Sequence, residues 1–73
     1  MALRKHSLDI AGHQTSVTLE DEFWIELKKI AKSKGTSLNA LIARIDEARD
    51  GNLSSAIRVY VLKTVLENQS NQI

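Results

Sequence analysis

Cysteine is absent from this 73-residue chain, which rules out disulfide staples and thiolate metal sites. Proline is absent too, so three glycines, Gly12, Gly35 and Gly51, are left to punctuate the sequence into four segments. No apolar run approaches the ~20 residues that a membrane span needs, and the basic pair Arg4 and Lys5 has no signal-peptide hydrophobic core behind it. The expected location is the cytoplasm. Net charge is only +1, which neither demands nor forbids a nucleic-acid partner, so the placement of charge matters more than its sum.

Catalytic chemistry finds little support. His6 and His13 stand apart, with no cysteine and no carboxylate cluster beside them, so no metal site is expected. Asp46, Glu47 and Asp50 gather at a helix end before Gly51 and read as solvent-facing charge. No nucleophile and base share a useful spacing, and there is no glycine-rich phosphate loop. The chain is expected to be no enzyme and to need no cofactor.

Apolar side chains, by contrast, are plentiful. At 42% hydrophobic the chain exceeds what a disordered segment shows, yet a monomer of this length buries little apolar surface. Oligomerisation is the simplest resolution.

Residues 1–12, with LRKHSLDIAG, alternate loosely and suggest an extended arm or a first strand turning at Ala11-Gly12. Residues 13–19 alternate clearly, with Thr15, Val17 and Leu19 on one face and Gln14, Ser16 and Thr18 on the other, the period of a half-exposed strand. A helix is expected over 20–34, started by Thr18 with Asp21 three residues on and by the acidic run Glu20, Asp21, Glu22. Its inner stripe is Phe23, Leu27, Ile30 and Ala31 with Trp24 beside it, and Lys28, Lys29 and Lys32 form a solvated face. Gly35 ends it. A second helix over 37–49 opens at Thr36 and Ser37 and carries Leu38, Leu41, Ile42 and Ile45 on one face. A third over 53–67 opens at Asn52 and shows Leu53, Ile57, Tyr60, Val61 and Val65. Val59, Leu62 and Leu66 widen its apolar surface, which implies burial on more than one side. The polar tail 68–73 is expected to fray.

The strand TSVTL followed by LKKIAKSKGTSLNALI resembles the ribbon-helix-helix family of Arc and MetJ type: a short strand, a helix ending in basic residues, one glycine, then a hydroxyl residue, an apolar residue and Asn before the next apolar face. The likeness covers roughly residues 14 to 46. With GNLSSAIRVYVL as a third helix, the chain is also similar to small bacterial ribbon-helix-helix proteins of unassigned function. Two departures stand out. Family strands often present Arg or Lys where this chain has Gln14, Ser16 and Thr18, and NLSSAIRVYVL itself looks like a family second helix, which leaves 36–51 open to reading as an insertion.

The resemblance implies a mainly helical fold with a short N-terminal strand, a homodimer with an intermolecular antiparallel two-stranded ribbon, and a third C-terminal helix. It implies sequence-specific double-stranded DNA binding by a transcriptional regulator of repressor type that reads the major groove. Elementary physics agrees, because a lone strand needs a partner for its backbone groups, and two copies of TSVTL can supply each other. Gln14, Ser16 and Thr18 are then candidates for base contact. Arg4, Lys5 and His13, with Thr36, Ser37 and Asn39 at a helix N-terminus, are candidates for phosphate contact. The expected dimer core is Val17, Leu19, Phe23, Trp24, Leu27, Leu38, Leu41, Ile42, Ile45, Ile57, Tyr60 and Val61. The alternative is an antitoxin or adaptor that docks a protein partner on its C-terminal apolar helix.

Overall fold

In the computed structural model, which describes residues 2–70, the order is strand, strand, helix, helix, helix. Strands β1 (Leu3–Ile10) and β2 (His13–Glu20) form one antiparallel hairpin, with rungs running from Leu3↔Glu20 to Ile10↔His13. A mainly helical chain led by a two-stranded ribbon is what the sequence implies, and the third helix is present as well. The ribbon differs in one respect. The strand that pairs with β2 is β1 of the same chain, where the sequence suggested a second copy of TSVTL. The physical reason lies in the turn. Ala11 and Gly12 both have positive φ, 51° and 82°, as the tight two-residue hairpin turn requires, so the chain folds back before any second molecule is needed.

Each strand face follows from period two. The inward face carries Leu8, Ile10, Val17 and Leu19, all buried, with Arg4, His6, His13 and Thr15 on the same side. His6 lies flat on Trp24, with ring centroids 3.6 Å apart and planes 7° from parallel. Its Nε2 is buried without a hydrogen-bond partner among the described residues.

Helix α1 (Asp21–Ser33) does not start as the sequence suggests. Thr18 is still extended, because the ladder continues through Leu3↔Glu20 and the Asp21 N–H donates to the Ala2 carbonyl at 3.1 Å. The cap residue is Glu20, whose side chain makes no capping bond, while Asp21 and Glu22 supply first-turn charge. At the far end Gly35 has φ 68°, and the Thr36 N–H reaches the Ala31 carbonyl while the Gly35 N–H reaches that of Lys32. This pair of bonds closes the helix and reverses the chain. Helix α2 (Leu38–Ala48) is capped by Ser37, whose Oγ accepts from the Ala40 N–H at 3.1 Å. Helix α3 (Leu53–Ser70) is capped by Asn52, whose Oδ1 accepts from the Ser55 N–H. It absorbs part of the tail expected to fray; residues 71–73 lie outside the described residues.

The hairpin's inward face, Leu27, Ile30 and Ala31 of α1, Leu41, Ile42 and Ile45 of α2, and Ile57 and Val61 of α3 make one core. Phe23, Trp24, Leu38 and Tyr60 pack against it half-buried. A single chain thus assembles the residues assigned above to a dimer core. α3 buries one side only: Ile57 and Val61 are fully covered with Leu53, Ala56, Tyr60 and Val65 packed beside them, while Val59, Leu62 and Leu66 on the other side stay 50%, 55% and 52% exposed.

Replacing Ala11 by Asn should raise stability by up to about 1 kcal/mol, since Asn tolerates positive φ better than Ala. Ile42→Ala, at 0% exposure, should cost about 2–5 kcal/mol. Urea midpoints of the two variants check both.

Candidate nucleic-acid interface

Rungs of the hairpin decide which side chains share its outward face. Lys5↔Thr18, Ser7↔Ser16 and Asp9↔Gln14 bring six polar residues together there, all exposed. Gln14, Ser16 and Thr18 therefore form a row on β2, backed by a row of Lys5, Ser7 and Asp9 on β1. Asp9 is the acidic member of this face, and Lys5 the basic one.

Arg4 and His13 do not join them. Arg4 is on the helix side of the ribbon opposite Leu19, with Nε 2.9 Å from one Asp21 carboxylate oxygen and 3.2 Å from the other. Period two sends Arg4 and Lys5 to opposite faces, which treating them as one basic pair overlooks. At 66% side-chain exposure this ion pair adds little stability. His13, opposite Ile10, lines a shallow hollow at the hairpin tip with Gln14, Asp46, Arg49 and Asn52. Arg49 is held there by Asp46 at 2.6 Å and by donating to the Gly51 carbonyl.

Thr36, Ser37 and Asn39 are at the other end of α2 from that tip. The N–H of Thr36 closes α1, and the Ser37 hydroxyl is engaged in its own cap. The N–H groups of Leu38 and Asn39 have no partner among the described residues, as befits a helix start. Within one protomer, then, ribbon and helix terminus are separate surfaces.

Two residues that sequence reasoning missed anchor β2. Ser54 accepts the Thr18 N–H on its Oγ at 3.3 Å, and Arg58 donates Nη2 to the Thr18 carbonyl at 3.4 Å. Arg58 also places Nε 2.9 Å from Glu20 Oε1, with both side chains largely covered. Their separation, one helical turn, was the available signal. What it lacked was any hint of the strand lying 36 to 40 residues earlier.

The hydrogen bond from Arg58 holds the Glu20 carboxyl below its ordinary value of about 4.5. A carboxyl depressed in the folded state stabilises the protein fully above its unfolded value, and that contribution disappears as pH falls through the folded one. The thermal midpoint should accordingly drop as pH is lowered below about 4.5. In Glu20→Gln this component should be missing, as a pH series of melting curves will reveal.

A family model described as a ribbon-helix-helix domain matches residues 3–65. Among solved structures, an uncharacterized protein from Bordetella pertussis Tohama I is similar, at 29% sequence identity and a TM-score of 0.82. That match covers 99% of this chain and 62% of the other, so this chain spans less than two thirds of its length. No curated protein matches. The two-stranded ribbon, the glycine-closed α1–α2 junction and a family match running from β1 into α3 together make this chain a member of the ribbon-helix-helix domain family.

Proposed function

We propose that the protein binds double-stranded DNA as a homodimer, sequence-specifically, and acts as a cytoplasmic transcriptional regulator of repressor type. Ribbon-helix-helix domains typically bind DNA and form dimers, and this membership supports the reading. The observation that carries it is the outward face of the hairpin. A β-ribbon is of a size that the major groove admits, and here it presents six exposed polar side chains with hydrogen-bonding groups. Gln14 suits a bidentate pair with adenine, Ser16 and Thr18 suit either partner, and Lys5 adds a cation next to Thr18. Thr36, Ser37 and Asn39 serve as a second, phosphate-directed surface through the exposed start of α2. Among the described residues no helix is long and apolar enough to cross a membrane.

A second reading draws on α3. The half-exposed Val59, Leu62 and Leu66 recur at helical spacing and suit a protein partner, as an antitoxin or adaptor would need. If that reading holds, Leu62→Lys abolishes co-purification of the partner while leaving DNA binding intact.

Fluorescence anisotropy with genomic fragments, including the protein's own promoter, tests the first reading. Gln14→Ala should relax base preference by about 1–3 kcal/mol, the discrimination that one bidentate pair supplies. Lys5→Ala should weaken all fragments alike and lower the log–log salt slope by about 0.9 for each phosphate that is no longer neutralised. Asp9→Asn should tighten binding by removing the negative charge from the face. Absence of any binding at low ionic strength rejects the reading.

A further inference from the structure

Helix α3 carries two apolar stripes, and only one of them meets the core. Ile57 and Val61 lie on the inner side, whereas Ser55, Val59, Leu62, Leu66 and Gln69 are all exposed and follow one another at intervals of four, three, four and three residues. That alternation is the heptad spacing of a helix-pairing seam, with Val59 and Leu66 in one kind of layer and Ser55, Leu62 and Gln69 in the other. The three apolar members of the seam are each half-exposed.

We propose that this seam pairs with the same seam of a second copy, the two α3 helices running antiparallel, with Val59 of each opposite Leu62 of the other and Ser55 opposite Leu66. The contact uses no residue of the ribbon and needs no DNA, and it gives to a second copy of this chain the face that the antitoxin or adaptor reading leaves to a different protein.

Charge selects both the direction and the register. Parallel helices in register would set Arg58 of one copy beside Lys63 of the other on both flanks of the seam, like against like. Antiparallel helices shifted by one heptad, with Leu62 opposite Leu66, would set Lys63 against Lys63 and place Val59 on Gln69. The chosen register avoids both conflicts. It lays Lys63 beside Ala56 of the second copy and Arg58 beside the second copy's Val65.

Neighbouring elements complete the match. Asp50, just after α2, lines one groove with Ser55 and Ala56, so the Lys63 that arrives over Ala56 meets a carboxylate there. Neither Lys63 nor Asp50 has an ion-pair partner in its own chain among the described residues. On the opposite flank Glu26 of α1 lines a groove with Leu62 and Val65, so the Arg58 that arrives beside Val65 meets Glu26. Two-fold symmetry repeats each meeting. One helix face with its flanks covers less than the ~800 Å² per partner of a standard interface, so a Kd on the order of tens of micromolar is expected. Such a contact is weak between free molecules and effective between copies already held side by side.

The absence of cysteine makes the test direct. Ser55→Cys and Leu66→Cys each give the full chain a single thiol, and a short bifunctional maleimide is added to the purified variants, without DNA, at a concentration on the order of 100 micromolar. A linked dimer is expected from the mixture of the two variants and from neither alone, because antiparallel pairing holds identical residues about 16 Å apart along the axis. Adding Lys63→Glu or Asp50→Lys to both variants should lower the yield roughly three- to tenfold, and Lys63→Asp together with Asp50→Lys should restore it. Leu62→Asp should abolish linking with an unchanged helical circular-dichroism spectrum, since Leu62 lies outside the core. No link in the mixture returns this face to a different partner and overturns the proposal. Self-linking of either variant, which parallel helices would give, overturns it too, as does a yield indifferent to the charge reversals or not restored by the double exchange. Linking in a chain that ignores DNA sinks only the DNA-binding reading. DNA binding without linking sinks only the α3 seam.

Discussion

Backbone groups in a strand must be met on both sides or be left to water, and this single requirement organises the protein. β2 is satisfied by β1 along its whole length on one side and by Ser54 and Arg58 at Thr18 on the other. The register that results sorts every side chain. Shifting it by one residue would turn Val17 and Leu19 to solvent and bring Ser16 and Thr18 into the core. The polar outward face is therefore not an independent feature of the surface. It is the necessary complement of a buried one.

The same requirement ties α3 to the ribbon. Arg58 spans two functions at once, hydrogen bonding the edge of β2 and pairing with Glu20 where the strand becomes a helix. Ser54, one turn earlier, completes the attachment. The third helix is thus part of what holds β2 in place, and its apolar side supplies Ile57 and Val61 to the core. That involvement agrees with a family match extending well into α3.

Local features were the most legible in the sequence. The alternation of Gln14 to Leu19 required a strand with its apolar side inward, Gly35 required a left-handed residue at a helix end, and Ser37 and Asn52 were recognisable as caps. Each depends on residues within a turn or two. The first strand was harder to read, because Arg4 and His6 occupy its inward face where apolar residues were expected, and because Leu3 lies outward. Thr18 misled for a related reason: a hydroxyl residue ahead of acidic ones looks like a cap, but pairing with β1 keeps it extended. The partners of β2 were out of reach, since nothing in a single sequence joins Ser54 or Arg58 to residues so far upstream. Site assignments inherited the same limits. The β2 row shares one exposed face, as alternation requires, while Arg4 and His13 fall on the opposite side of the ribbon, a separation of neighbours that a pleated strand imposes and a linear grouping does not show.

The stacked pair of His6 and Trp24 links ribbon to α1 through a flat contact 3.6 Å between centroids. Trp24 is the chain's sole tryptophan. Its emission is consequently a native optical gauge of whether the hairpin is docked, readable during unfolding or ligand titration with no label attached.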